Sequence, residues 1–140
     1  MALTLKERQE FLAQPHVAAL SVAGGAGRGP LSVPIWYQYE PGGEPWILTG
    51  AESRKMRSIK ESGRFTLMVQ RTEPTTRYVS VEGAVSKIAP ITDEAHVELV
   101  RRYLSGDAVD KYLKQAAGFG EQLAVYLRPE HWLSADLGSV

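Results

Sequence analysis

Apolar and polar residues alternate at the strand period over the stretch where Leu31, Val33, Ile35, Tyr37 and Tyr39 are separated by Ser32, Pro34, Trp36 and Gln38. The same period returns where Phe65, Leu67 and Val69 alternate with Thr66, Met68 and Gln70. It returns again over Arg77–Ile88, where Val79, Val81 and Val85 share a face and Gly83 marks a bend. Three shorter runs, His16–Ala23, Pro45–Thr49 and Gln122–Arg128, complete six predicted strands. Between them lie the glycine-rich loop Gly24–Pro30, the hairpin turn Pro41-Gly42-Gly43 and the turn Thr72–Thr76. Helical signals interrupt the strands. Thr4–Gln14 is stopped by Pro15 and should turn Leu5, Phe11 and Leu12 to a core; Ser53–Ser62 is ended by Gly63. A further helical region opens with Thr92 as N-cap and Asp93 and Glu94 in its first turn. It continues with Val109, Tyr112, Leu113 and Ala116 at amphipathic spacing, and Gly118 and Gly120 end it.

Tight loops between successive strands dictate antiparallel pairing, because a parallel return needs a crossover of about a dozen residues. The expected fold is therefore mainly β, a six-stranded antiparallel barrel with peripheral helices, occupying residues 1–140 as one domain. Pro34 has no N–H for a ladder, so its strand should lie at an edge, a bulge or an open side.

Sixteen basic residues balance sixteen acidic ones, which speaks against a nucleic-acid or membrane partner recruited by net charge. Apolar residues at 44% and charged residues at 23% place the chain among ordinary globular proteins. The absence of cysteine removes thiol catalysis, thiolate metal sites and disulfides together. Met1–Glu10 carries Lys6, Glu7, Arg8 and Glu10 with no apolar run behind them, so no signal peptide is expected and the reading is a cytoplasmic protein.

Candidate chemistry concentrates in Thr49–Ile59. With Ser53 as N-cap, Arg54, Lys55 and Arg57 fall in the first helical turn, where the helix dipole disfavours cations by about 0.3–1 kcal/mol each. Three cations beside free backbone N–H groups form an anion site that a phosphate would satisfy. The same charges also suit a solvated basic face in which Arg57 pairs with Glu61 four residues on. Met56 and Ile59 should hold this helix to the core.

Other constellations do not assemble into a site. Gly25-Ala26-Gly27-Arg28-Gly29 precedes a strand and lacks the Gly-Lys-Ser/Thr ending of a phosphate loop. His16, His96 and His131 share no ligand spacing, so no metal is expected, and none falls in a segment expected to carry chemistry. Glu82 reads as a structural hydrogen-bonder.

The ordered series from the first apolar strand through Val33-Pro34-Ile35-Trp36-Tyr37, Leu48-Thr49, Ser53-Arg54-Lys55-Met56-Arg57, Phe65–Val69 and Val79–Val85 resembles the pyridoxamine 5′-phosphate oxidase-like, flavin/deazaflavin oxidoreductase superfamily. The resemblance runs from His16 to about Leu133 and implies a homodimeric split barrel holding FMN or coenzyme F420 at the dimer interface. It implies phosphate contacts from Ser53, Lys55 and Arg57, with Arg54 and Thr49 nearby. It places Val33, Pro34, Ile35, Trp36 and Tyr37 along the cofactor ring and brings Arg77 and Tyr78 from the partner subunit. Ser58 stands where many relatives carry Asn. The chain lacks the extended C-terminal segment with which true pyridoxamine phosphate oxidases bind substrate, so that activity is not expected. The implied function is hydride transfer between the cofactor and a small organic substrate; the alternative is a non-catalytic carrier of a flavin or haem-related ligand. Any proton required would come from solvent or a hydroxyl such as that of Tyr37. The dimer surface is expected around Ile35, Tyr37, Phe65 and Leu67.

Overall fold

The computed structural model describes residues 1–138. Its strands are β1 (Ala18–Val22), β2 (Leu31–Ile35), β3 (Tyr37–Gln38), β4 (Trp46–Gly50), β5 (Arg64–Arg71), β6 (Thr76–Pro90), β7 (Gln122–Leu127) and β8 (His131–Gly138). They run in the order β2-β1-β5-β6-β7-β4-β3, with β8 added on β6, and all pair antiparallel. β6 lets the sheet curl: its first part pairs with β5 and β8, and beyond an irregularity between Val85 and Lys87 it pairs with β7. Gly83 permits the turn, since a Cβ there would stand 1.6 Å from the Arg128 carbonyl oxygen.

The mainly β split-barrel architecture stands, with eight strands rather than six. The long strand predicted through Tyr39 breaks at Trp36 into β2 and β3. β8 was not predicted because its polarity is inverted. Ser134 lies opposite buried Val79 and Asp136 opposite Arg77, while Leu133 and Leu137 are 65% and 52% exposed. Only Trp132, opposite Val81, packs inward as an apolar residue. Pro34 sits in β2 at the end of the strand order, where its missing donor costs no ladder bond.

Among the described residues, helix α1 (Leu5–Ala13) is held by a reciprocal capping box between Thr4 and Glu7 and buries Phe11 and Leu12. Leu5, expected inside, is 55% exposed. Helix α2 (Arg54–Ser62) starts at Ser53 and ends at Gly63 in the left-handed conformation, with Met56 and Ile59 fully buried. Helices α3 (Asp93–Tyr103) and α4 (Asp107–Ala116) form a hairpin between β6 and β7.

Ile35, Tyr37, Phe65 and Leu67 belong to the interior, at 8%, 0%, 2% and 0% exposure, so they do not form a docking surface. The strand period puts the opposite residues outside. Pro34, Ala19, Met68, Ser80 and Leu133 lie side by side across five strands, an uncharged row on the face opposite the core residues.

Candidate functional site

Ser53 organises the start of α2. Its Oγ accepts from the Met56 N–H at 3.1 Å and lies 2.9 Å from the hydroxyl of Thr49, which is 2% exposed on β4. The N–H groups of Arg54 and Lys55, at the first two helical positions, have no helical acceptor. Arg54 and Arg57 are exposed, and Arg57 Nη1 donates to the Glu52 carbonyl at 3.0 Å, spanning the cap. Lys55 points elsewhere, into a cleft of about 320 Å³. Met56 and Ile59 hold the other side of α2 to the core, so the cationic turn is a fixed feature.

The cleft gathers residues from most of the chain: Pro34, Ile35 and Trp36, Leu48 from β4, Lys55, Leu99 from α3, Tyr112 from α4, with Val17 and Gln122. Gln122 reaches back toward the α2 cap, its Nε2 lying 3.5 Å from where a Gly50 Cβ would stand. The Trp36 indole is stacked on Tyr103 at 4.8 Å with an interplanar angle of 7°, and Tyr112 meets it at 5.1 Å and 35°. Tyr103 is itself fixed: its hydroxyl donates to the His16 carbonyl at 2.7 Å or the Tyr37 carbonyl at 3.0 Å and accepts from the Tyr37 N–H at 3.2 Å. Arg102 braces the same junction by donating to the Ala13 and Gln14 carbonyls, both at 2.8 Å, with its guanidinium 5.0 Å from the Tyr37 ring centre.

Of the residues singled out in the sequence, Pro34, Ile35, Trp36 and Lys55 come together at the cleft, with Ser53 and Thr49 at the foot of the adjoining helix. Val33 packs against the core. Tyr37 is enclosed, its hydroxyl donating to the Leu12 carbonyl or to the Gln14 carbonyl. Burial, reinforced by the Tyr103 phenol, pushes its pKa far above the ordinary phenol range despite nearby Arg102. It is therefore not the proton source that its sequence position suggested.

Arg77 and Tyr78 lie on β6 and do not line the cleft within one chain. Arg77 Nε donates to Asp136 at 2.9 Å, and its guanidinium lies 5.9 Å from the Phe11 ring centre. Asp136 also accepts from the Gly138 N–H and the Thr75 hydroxyl, each at 2.9 Å. The Gly138 bond first, then Thr75 and Arg77, hold its carboxyl down to about 2. Glu82, on the outer face of β6, pairs with Arg64 at 3.5 Å. Among the described residues no group of three His, Cys, Asp or Glu side chains is placed to hold a metal.

Sequence reasoning missed Leu99, Tyr103, Tyr112, Gln122 and Arg102. Tyr112 was visible as one member of an amphipathic stripe, which reads as core. Nothing local marks Tyr103, whose partners lie 66 and 87 residues away.

A family model for pyridoxamine 5′-phosphate oxidase matches residues 4–135. No curated protein matches the chain. Among solved structures, a conserved hypothetical protein from Mycobacterium tuberculosis is 22% identical with a TM-score of 0.76, over 97% of this chain and 86% of that one. A protein described as an F420 reductase is 20% identical with a TM-score of 0.73, over 89% and 94%. An FAD-binding protein from Mesorhizobium loti is 17% identical with a TM-score of 0.63, over 97% and 95%. At these identities the structures speak to the fold, and the family model spans nearly the whole sequence: the chain belongs to the pyridoxamine 5′-phosphate oxidase family.

Proposed function

We propose that this chain is an oxidoreductase that binds FMN or coenzyme F420 as a homodimer and passes hydride between that cofactor and a small organic substrate. The observation that carries the reading is that Lys55, in the first turn of α2, lines a cleft together with Trp36, whose ring is held by its stack on Tyr103. A phosphorylated cofactor with an apolar ring system needs this pairing of a cation at a helix start with an apolar wall.

The residues present fit such a group. If Thr49 donates to Ser53, both acceptor positions of the Ser53 oxygen are used and its own proton is left to be donated to an anion. Arg54 and Arg57 add positive potential at the helix end, where a phosphate reverses their mutual repulsion. Tyr103 holds Trp36 in one orientation, so little side-chain freedom is lost when a ring is bound. When bound, the cofactor supplies the hydride chemistry. The protein supplies the phosphate anchor, the ring wall and the exclusion of water.

A second copy completes the site. The cleft volume of about 320 Å³ is at the small end of the ~300–1,000 Å³ usual for ligand sites. Pro34 both lines the cleft and begins the uncharged outer row that ends at Leu133. A two-fold partner laid on that row would therefore wall the cleft at its open edge. In that arrangement Arg77 and Tyr78 of the partner are the residues to test for contact with the cofactor.

The experiment is titration of the purified protein with FMN and with coenzyme F420, followed by spectra of the bound cofactor during reduction and reoxidation by an enone or a quinone. One equivalent bound per chain and reoxidised by such an acceptor is the expected result. Tight binding with no acceptor able to reoxidise the cofactor would make the protein a carrier, and failure to bind either would overturn the reading.

A further inference from the structure

Two tyrosines flank the Trp36 indole, and they are held in different ways. Tyr103 is stacked on it at 4.8 Å and 7°, with its own hydroxyl bonded to the backbone of His16 and Tyr37. Tyr112, from α4, meets the indole at 5.1 Å and 35°. Rings so close and so little inclined overlie one another, since edge-on pairs have planes near the perpendicular. Tyr112 lines the cleft that Trp36 and Lys55 line, and Tyr103 does not, so Tyr112 covers the face of the indole on the cleft side. No polar contact fixes it there. Burial pushes its phenol above the ordinary value, and no hydrogen bond or charge offsets this. Its other ring contacts are edge-on, to His96 at 6.4 Å and to Phe119, itself 53% exposed, at 6.3 Å. The helix that carries it is flanked by glycines with positive φ: Gly106 at 58°, where no side chain caps the helix, and Gly120 at 77°. Such positions absorb changes of backbone angle with little steric resistance.

We infer that the cofactor's ring binds on the face of Trp36 that Tyr112 now covers, and that Tyr112 is a plug which withdraws with α4 as the ring enters. This rests on the redox reading above and adds to it where the ring lies and what guards that place. A ring stacked on the indole needs its atoms about 3.5–4 Å away, and the Tyr112 ring takes that space. The other face is closed by Tyr103, which its hydroxyl ties to the backbone, so Tyr112 is the ring that yields. In the empty protein the plug keeps an apolar wall out of water. On binding, the incoming ring replaces an aromatic contact already made. Affinity for the ring therefore falls below that of an unplugged cleft by the fraction of molecules that stand open. The plug acts on the ring alone, because the phosphate anchor belongs to α2 and Tyr112 to α4.

The test uses lumiflavin, the flavin ring without its ribityl phosphate, titrated by fluorescence into the full-length protein without cofactor. Tyr112→Ala should bind it about three- to tenfold more tightly than wild type, the scale of the aromatic pair no longer displaced. With lumiflavin in excess, the association rate of wild type should level off at the rate of plug opening, and that of Tyr112→Ala should keep rising. Tyr112→Phe should match wild type in both respects, because the ring and not the hydroxyl fills the space. A second measurement needs no ligand. Acrylamide quenching of the Trp36 emission, isolated as the difference from Trp36→Phe, should increase in Tyr112→Ala. Equal or weaker lumiflavin binding by Tyr112→Ala, no binding by either protein, or unchanged quenching of Trp36 would overturn the inference. Lys55→Ala should leave lumiflavin unaffected while weakening FMN. Failure of both FMN and coenzyme F420 to bind more tightly than lumiflavin, with Tyr112→Ala still the tighter binder of the ring, would sink the redox reading and leave the plug standing.

Discussion

At one end of the cleft lined by Lys55 and Trp36, α2 is set by residues within a single stretch of sequence: the Ser53 cap, the Met56 and Ile59 anchors and the Gly63 stop. At the other end, α3 and α4 form a roof held by long-range side-chain contacts. Tyr103 reaches the backbone at His16 and Tyr37, Arg102 reaches Ala13 and Gln14, and Trp36 lies between two tyrosines. The first end places charge and depends on helix chemistry; the second places rings and depends on packing. Removing a cation from α2 should therefore change affinity with little change in stability, whereas loosening the roof should change stability first.

Tyr103→Phe breaks this comparison most strongly. It keeps the stack on Trp36 but removes the hydroxyl that bridges His16 and Tyr37, leaving the Tyr37 N–H without this acceptor. Urea unfolding should show a loss of about 1–3 kcal/mol, the cost of a buried group left unpaired. Lys55→Ala should show no comparable loss, because its charge lies at the unfavourable end of the dipole. Equal destabilisation by the two variants would erase the distinction between the ends.

A smaller effect comes from His16, whose carbonyl receives Tyr103 and whose ring Nε2 lies 2.9 Å from the Phe11 carbonyl oxygen. Burial, more than the nearby Arg102 and Arg71 charges, holds its pKa below the ordinary 6.5, against the pull of the Phe11 contact. The unfolded chain therefore takes up the proton first. The contribution of His16 is fully present above about 6.5 and is lost as pH falls through the lower folded-state value. Unfolding curves of wild type and His16→Gln should converge on acidification through that window. Parallel curves would show that the imidazole is no part of the roof's stability.

How legible each end was follows from the same contrast. The bounds and anchors of α2 were readable because cap, buried residues and stop fall within Ser53–Gly63 and need no tertiary information. Strands with apolar residues turned inward, such as Phe65, Leu67 and Val69, were equally plain. β8 was not, because it turns Ser134 and Asp136 inward and Leu133 outward, so its alternation opposes the usual polarity. The roof was illegible for a different reason: Tyr103 and Tyr112 look like core residues of amphipathic helices until the hairpin is folded over Trp36. Tyr37 shows the converse error, a residue in the right strand whose side chain points into the interior.

The central claim, that the first turn of α2 holds a phosphate, is tested most directly by comparing FMN with riboflavin, which differs only in lacking that group. Affinities of both should be measured by fluorescence for wild type and Lys55→Ala, with coenzyme F420 and its phosphate-free core as the parallel pair. Wild type should prefer the phosphorylated ligand, and Lys55→Ala should reduce that preference by about 1.5–3 kcal/mol, the scale of a charge-assisted hydrogen bond, while leaving the phosphate-free ligand unchanged. An unaltered preference, or equal weakening of both ligands, would contradict the assignment of the phosphate to α2.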